Sequence, residues 1–224
     1  MRSNYRREKP GNAGVPPAES RGWYSRGYLP HFDAPCVVQS ITFRLADALP
    51  LSVIEGWRIE LQIDRHTPAN DPRMIDLRRK IDRYEDAGHG ACVLRDPRAA
   101  DLVETALLYF DKERYRLIAW CVMPNHVHTM IEVFEGFPLP RLLHSWKSYT
   151  SKEINKILGT AGQLWFEEYH DRFIRDERHF HASVAYIENN PVKAGLCRES
   201  GDWVFSSAKR RKGEDGGRDA RASR

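Results

Sequence analysis

Cys121-Val-Met-Pro-Asn-His-Val-His-Thr-Met-Ile-Glu-Val133 is an apolar run that carries two histidines one residue apart. Successive strand side chains point to opposite faces, so on a strand His126 and His128 share one face while Val127, Thr129, Ile131 and Val133 take the other. Residues Tyr115 to Met123 are also alternating, β-branched and aromatic, and Pro124-Asn125 is a turn signal between the two runs. The stretch therefore predicts a β-hairpin with an imidazole pair at the start of its second strand, which is half of a metal site.

Outward from the hairpin, Val37 to Leu45 reads as a first strand with Gln39, Ile41, Phe43 and Leu45 on one face. Leu51 to about Glu85 has helical spacing broken at Pro68 and Pro72, which predicts two helices. A further helix is expected from Ala99 to about Glu113 on the recurrence of Leu102, Ala106 and Phe110. After the hairpin, Leu139 to about Leu158 has one apolar face built from Leu139, Leu142, Leu143, Trp146, Ile154 and Ile157. Gln163 to Ile174 is aromatic-rich and reads as a strand. Asp176 then caps a last helix that Pro191 is expected to close. Strand, helices, two strands, helix, strand, helix is the order of an α+β, ferredoxin-like antiparallel sheet with flanking helices.

The 224 residues suffice for one well-buried core. Composition is that of a soluble globular chain, 41% hydrophobic and 29% charged, without an apolar run long enough to span a membrane. No signal-peptide pattern follows Met1, so a cytoplasmic protein with no membrane partner is expected. Cys36, Cys92, Cys121 and Cys197 lack Cys-x-x-Cys spacing and read as ordinary thiols. Residues 1–28, rich in Arg, Gly, Pro and Ser, read as a flexible basic arm before a domain at 29–208, and 209–224 as a disordered basic tail. The net charge of +4 and the Lys209-Arg210-Arg211-Lys212 cluster admit a nucleic-acid partner. Lys147 and Lys152 on the long helix are candidate phosphate contacts, together with Lys209, Arg210 and Arg211. Trp165 and Trp203 are candidate platforms for unpaired bases, whereas Trp146 belongs to the core.

The last helix contains His179-Phe-His-Ala-Ser-Val-Ala-Tyr-Ile-Glu-Asn-Asn-Pro191. Phe180, Val184 and Ile187 form its apolar stripe, and Tyr186 and Asn190 stack one turn apart outside the centre of that stripe. A divalent cation held by His126, His128 and the Asn190 amide oxygen could polarise a phosphodiester. The Tyr186 oxygen could then attack phosphorus and conserve the bond energy in a covalent phosphotyrosine. Asn190 has a plainer reading, since Asn before Pro commonly ends a helix. Tyr169 is a rival nucleophile, though strand aromatics commonly just pack, and Glu132 shares the histidine face.

The His-Val-His after Met-Pro-Asn, the Leu-His-Ser-Trp-Lys-Ser-Tyr helix, Thr42-Phe-Arg-Leu-Ala-Asp, Phe173-Ile-Arg-Asp and Tyr-Ile-Glu-Asn-Asn-Pro-Val-Lys-Ala-Gly-Leu occur in this order between about His31 and Ala208. Together they resemble the single-tyrosine HUH transposases, and within them the REP-associated tyrosine transposases. The resemblance implies an HUH-type nuclease fold that binds palindromic-repeat DNA hairpins and cleaves and rejoins single-stranded DNA with Mg²⁺ or Mn²⁺. It puts the metal on His126, His128 and Asn190 and the nucleophile on Tyr186, in a monomer or homodimer. The chain departs from the family at Phe166, where Gln is expected after Trp165. A domesticated hairpin-binding protein that no longer cuts, and a phosphodiesterase that uses water, are the alternatives.

Overall fold

The computed structural model describes residues 22–25, 30–64, 66–68 and 71–213. Their centre is a four-stranded antiparallel sheet built from β3 (Val38–Arg44), β4 (Tyr115–Val122), β5 (His126–Val133) and β6 (His170–Phe173), in the order β4-β5-β3-β6. A short ribbon of β1 (Gly22–Ser25) and β2 (Pro30–Asp33) lies apart from it in sequence and pairing. The helices are α1 (Leu51–Glu60), α2 (Pro72–Asp86), α3 (Pro97–Tyr109), α4 (Leu139–Leu158) and α5 (Glu177–Lys193). The first strand paired to the third, the hairpin, and the fourth strand at the outer edge give the ferredoxin-like arrangement that the element order predicts.

Each face of the sheet buries a different set. Ile41, Phe43, Leu45, Val127, Ile131 and Val133 project to one side and pack with α3 and with Leu142, Leu143 and Trp146 of α4. On the other side Ala119, Cys121, Met123 and Met130 pack against Ile187 of α5. The pairing Thr42↔His128 and Arg44↔His126 puts both histidines on this second, thinner face. It is also the face covered by α2, which closes a small pocket over Thr42, Arg44 and His170 with Leu77, Arg78, Asp82 and Glu85.

Local chemistry explains the helix limits. Asp71 and Asp96 precede Pro72 and Pro97, and their carboxylates accept the Arg73 and Arg98 main-chain N–H groups, so α2 and α3 start on a capped proline turn. Asp176 caps α5 by accepting from the His179 N–H. Gly159 stops α4 in the left-handed conformation, φ 66°. No helix among the described residues is long and apolar enough to cross a membrane.

Several expectations need correction. The segment 163–174 contributes only four strand residues, because Trp165 turns inward and donates from its indole to Thr150 of α4 at 2.8 Å. Trp165 is thus a buried anchor rather than an exposed platform, and the Trp203 indole is likewise engaged, donating to the Val122 carbonyl at 2.9 Å. Pro191 lies inside α5, which continues to Lys193. Ile157 is 37% exposed and leaves the apolar face of α4. The tail begins later than expected, since residues 207–213 are helical and Arg211 bonds Glu188 of α5, while the arm contributes β1 at its end. Residues 1–21, 26–28 and 214–224, on which the rest of those two expectations fall, lie outside the described residues. Cys36 is exposed, whereas Cys92 and Cys121 are buried.

Candidate active site

β5 delivers the two imidazoles as a pair, their Nε2 atoms 2.9 Å apart and both rings buried. Each ring is held through its other nitrogen. The Asn125 amide donates its Nδ2 to the main-chain oxygens of Glu85 and His89, at 3.1 and 3.0 Å. Two carbonyl partners fix which end of the amide is nitrogen, so Oδ1 is the atom 2.7 Å from His126 Nδ1 and must accept from it. His126 therefore carries its proton on Nδ1 and turns a lone pair on Nε2 toward His128. The Thr42 hydroxyl, across the strand pair, meets His128 Nδ1 at 2.8 Å. Hydrogen bonds from the distal nitrogen that set ring orientation and tautomer are the usual support of a metal-binding histidine.

Burial keeps both rings uncharged. Desolvation is the first cause and pushes His126 well below the ordinary histidine range and His128 down to about 3, with the nearby Lys193 ammonium adding to both. Two neutral nitrogens facing each other at this distance share at most one proton, and a cation between them would satisfy both.

α2 and α5 close the site. Asp86, at the end of α2, places Oδ1 3.9 Å from His126 Nε2, and the ligand atoms of Asp86, His126 and His128 lie within 4.8 Å of one another. From α5, Asn190 is 1% exposed and its Nδ2 is 3.0 Å from His128 Nε2. Asp86 Oδ1 and Asn190 Oδ1 are both buried with no hydrogen-bond partner. Orphaned oxygens at the edge of a histidine pair are the donor set a hard divalent cation would complete, which is the fit expected of a nitrogen and oxygen site.

Tyr186 stands one helical turn before Asn190, 39% exposed, with its ring centroid 5.5 Å from that of His128. Its hydroxyl is pushed above the usual tyrosine range, first by burial and then by the charges of Asp82 and Asp86, against a hydrogen bond to Asn190. The phenol is accordingly protonated at neutral pH. Asp82 is itself raised to about 6, by burial ahead of its attraction to Arg78, and Glu85 to about 8, again by burial first.

The structure thus brings together four of the residues expected from the sequence: His126, His128, Tyr186 and Asn190. Others fall elsewhere. Tyr169 is buried beside the His31 ring, centroids 4.3 Å apart, on the opposite side of the sheet. Glu132 pairs with Arg116 at 2.7 Å. Lys147 points its ammonium at the carbonyls of Phe166, Glu167 and Glu168, at 2.9 to 3.2 Å, so it ties α4 to that segment instead of standing out as a phosphate contact. Lys152 is exposed on α4, as are Lys209, Arg210 and Arg211 in the final helical turn. Asp86 escaped the sequence reading, although a signal was present. Asp82, Glu85 and Asp86 crowd the C-terminal end of α2, where the helix dipole disfavours negative charge unless a cation is close.

Residues 91–190, which include the whole hairpin, α4 and most of α5, match the family model described as Transposase IS200 like. The chain is 26% identical over 107 residues to a REP-associated tyrosine transposase of Escherichia coli, an alignment covering 47% of this chain and 62% of that one. It spans about three-fifths of the length of the curated relatives it matches. A solved structure described as the REP-associated tyrosine transposase bound to a REP hairpin aligns with a TM-score of 0.47 at 18% identity, over 84% of this chain and 82% of that one. Within residues 91–190 the chain is therefore similar to IS200-like transposases. These matches bear out the resemblance to REP-associated tyrosine transposases that the ordered motifs carry.

Proposed function

We propose that this chain binds repeat hairpins in DNA and cleaves and rejoins the adjoining single strand through a covalent bond to Tyr186. The observation that carries this reading is the convergence of His126, His128, Asp86 and Asn190, from three separate elements, on one point beside the Tyr186 ring. His126 and His128, with oxygens of Asp86 and Asn190, would hold a divalent cation such as Mg²⁺ or Mn²⁺, which would supply charge to polarise a phosphodiester.

The remaining steps belong to the chain. α5 is a rigid support, and its N-cap and its packing through Ile187 hold the Tyr186 hydroxyl at a fixed position relative to the histidines. Tyr186 Oη attacks phosphorus and loses its proton, a P–O bond to the neighbouring sugar breaks, and the freed sugar oxygen takes up a proton. The number of phosphate ester bonds is unchanged, so the reverse attack by a sugar hydroxyl rejoins a strand without an external energy source. Asn125 and Thr42 keep the imidazoles aimed while this happens, and burial keeps them neutral.

The test is incubation with end-labelled single-stranded DNA carrying a hairpin from the host genome's repeats, with Mn²⁺ or with EDTA, resolved on a denaturing gel. DNA attached to protein is expected with Mn²⁺ alone and is expected to vanish in Tyr186→Phe, while hairpin binding persists. Tight binding with no covalent band, for several hairpins in Mn²⁺, would replace this reading with a hairpin-binding protein that does not cut.

A further inference from the structure

Asp86 divides its two oxygens between different partners. Oδ1 faces the histidines, while Oδ2 accepts a hydrogen bond from Lys193 Nζ at 2.5 Å. Lys193 is the last residue of α5, seven positions after Tyr186 and three after Asn190, so all three project from neighbouring positions on one side of that helix. Its ammonium lies 5.6 Å from the centre of the Tyr186 ring. One carboxylate is thus positioned to hold two cations at once, a bound metal through one oxygen and a fixed ammonium through the other, with the tyrosine next to both.

We infer that Lys193 is a catalytic residue of this site, binding a non-bridging oxygen of the phosphate that Tyr186 attacks. The inference rests on the reading of Tyr186 as nucleophile. Attack by a phenol on a phosphodiester builds negative charge on the two non-bridging oxygens, and a single metal ion serves the side of the phosphate it faces. A lysine ammonium has three N–H donors, of which Asp86 Oδ2 takes one, leaving two for a phosphate brought up to the phenol. The carboxylate restrains the head of an otherwise flexible side chain, so the charge is in place before the strand arrives. The side chain is 51% exposed, which leaves it open to a strand approaching from solvent. A plainer role is available, that of an ordinary ion pair fastening α5 to α2 at the favourable end of the α5 dipole. The two roles differ in what happens when Asp86 is saturated with metal.

Lys193→Met keeps the length of the stem and removes the charge. At saturating Mn²⁺, covalent capture by the Met variant is expected to slow at least tenfold, with Mn²⁺ affinity within about threefold of the parent and partial recovery in Lys193→Arg. Unchanged capture at saturating Mn²⁺ would overturn the assignment. So would a loss of capture that excess Mn²⁺ restores, because Lys193 would then be acting only by orienting Asp86. A second measurement needs no cleavage. In the Tyr186→Phe background, Lys193→Met is expected to weaken binding of a hairpin with an attached single strand about fivefold and to lower the slope of log affinity against log salt by roughly 0.7, as for one lost contact to a single-stranded phosphate. An unchanged slope overturns the phosphate contact. If the parent protein forms no covalent band, the nucleophile reading fails on its own evidence, and this slope still decides whether Lys193 meets phosphate.

Discussion

At the scale of single residues, Asn125 does more than turn the hairpin. Its side chain is fully buried and its three hydrogen bonds join the main chain at Glu85 and His89 to the His126 ring. Asp86 follows Glu85 directly, so the same amide that sets the His126 tautomer also locates the end of α2 from which Asp86 reaches the site. Asn125→Ala removes both supports and takes one donor from each of the Glu85 and His89 carbonyls. Mn²⁺ affinity, measured by titration calorimetry, is expected to fall 10- to 100-fold, the range typical of lost support behind a metal ligand. Asn125→Asp keeps the acceptor for His126 but not the donors, and its carboxylate would face two carbonyl oxygens. A variant of either kind that binds Mn²⁺ like the parent would show that the histidines hold their own orientation.

At the scale of elements, the long helix α4 illustrates how a charged residue can be misread. Lys147 is one of the basic residues of α4, and sequence alone cannot distinguish a lysine facing solvent from one capping three carbonyls of the next segment. Here the ammonium replaces a missing ladder for residues 166–168, which belong to no strand. Lys147→Met should lower stability to urea by about 1–2 kcal/mol, since charge-assisted hydrogen bonds contribute roughly 1.5–3 kcal/mol each when buried and less when partly wet. The salt dependence of hairpin binding should be unaltered; a reduced slope would return Lys147 to the DNA surface. The elements that were legible in the sequence are those with an uninterrupted period: β3, the β4–β5 hairpin and α4 each follow their expected limits closely, because burial of one face dictates the pattern. What was not legible depends on partners far away in sequence. The strand read over 163–174 shrinks because the Trp165 indole finds Thr150 on α4, and Pro191 does not end α5 although its ring removes a main-chain donor. The histidine pair, Tyr186 and Asn190 were readable because each lies on an element whose period fixes its face. Asp86 lies 40 positions before His126, and only the packing of α2 over the sheet brings it near.

At the scale of the molecule, the sheet separates two kinds of interior. The face toward α3 and α4 holds the larger aliphatic and aromatic core, whereas the face toward α2 and α5 combines a small apolar cluster with buried histidines, carboxylates and arginine. Such a polar face gains little from apolar burial and carries neutral imidazoles and orphaned oxygens, so α2 and α5 are joined to the sheet partly through the site itself. A ligand that binds the folded site and not the unfolded chain must then stabilise the whole molecule. Mn²⁺ at a hundredfold excess over its dissociation constant contributes about 2.7 kcal/mol, and for a chain of this size each kcal/mol corresponds to roughly 2–4 °C in Tm. Thermal unfolding followed by circular dichroism should therefore move upward by about 5–10 °C with saturating Mn²⁺, and return on addition of EDTA. His126→Ala and His128→Ala should each abolish the response, while Tyr186→Phe should retain it, because the phenol lies beside the ligands without being one of them. A shift that survives loss of either histidine would place the stabilising ion elsewhere on the protein, and the absence of any shift in the parent would mean that the four converging donors do not hold Mn²⁺ without DNA.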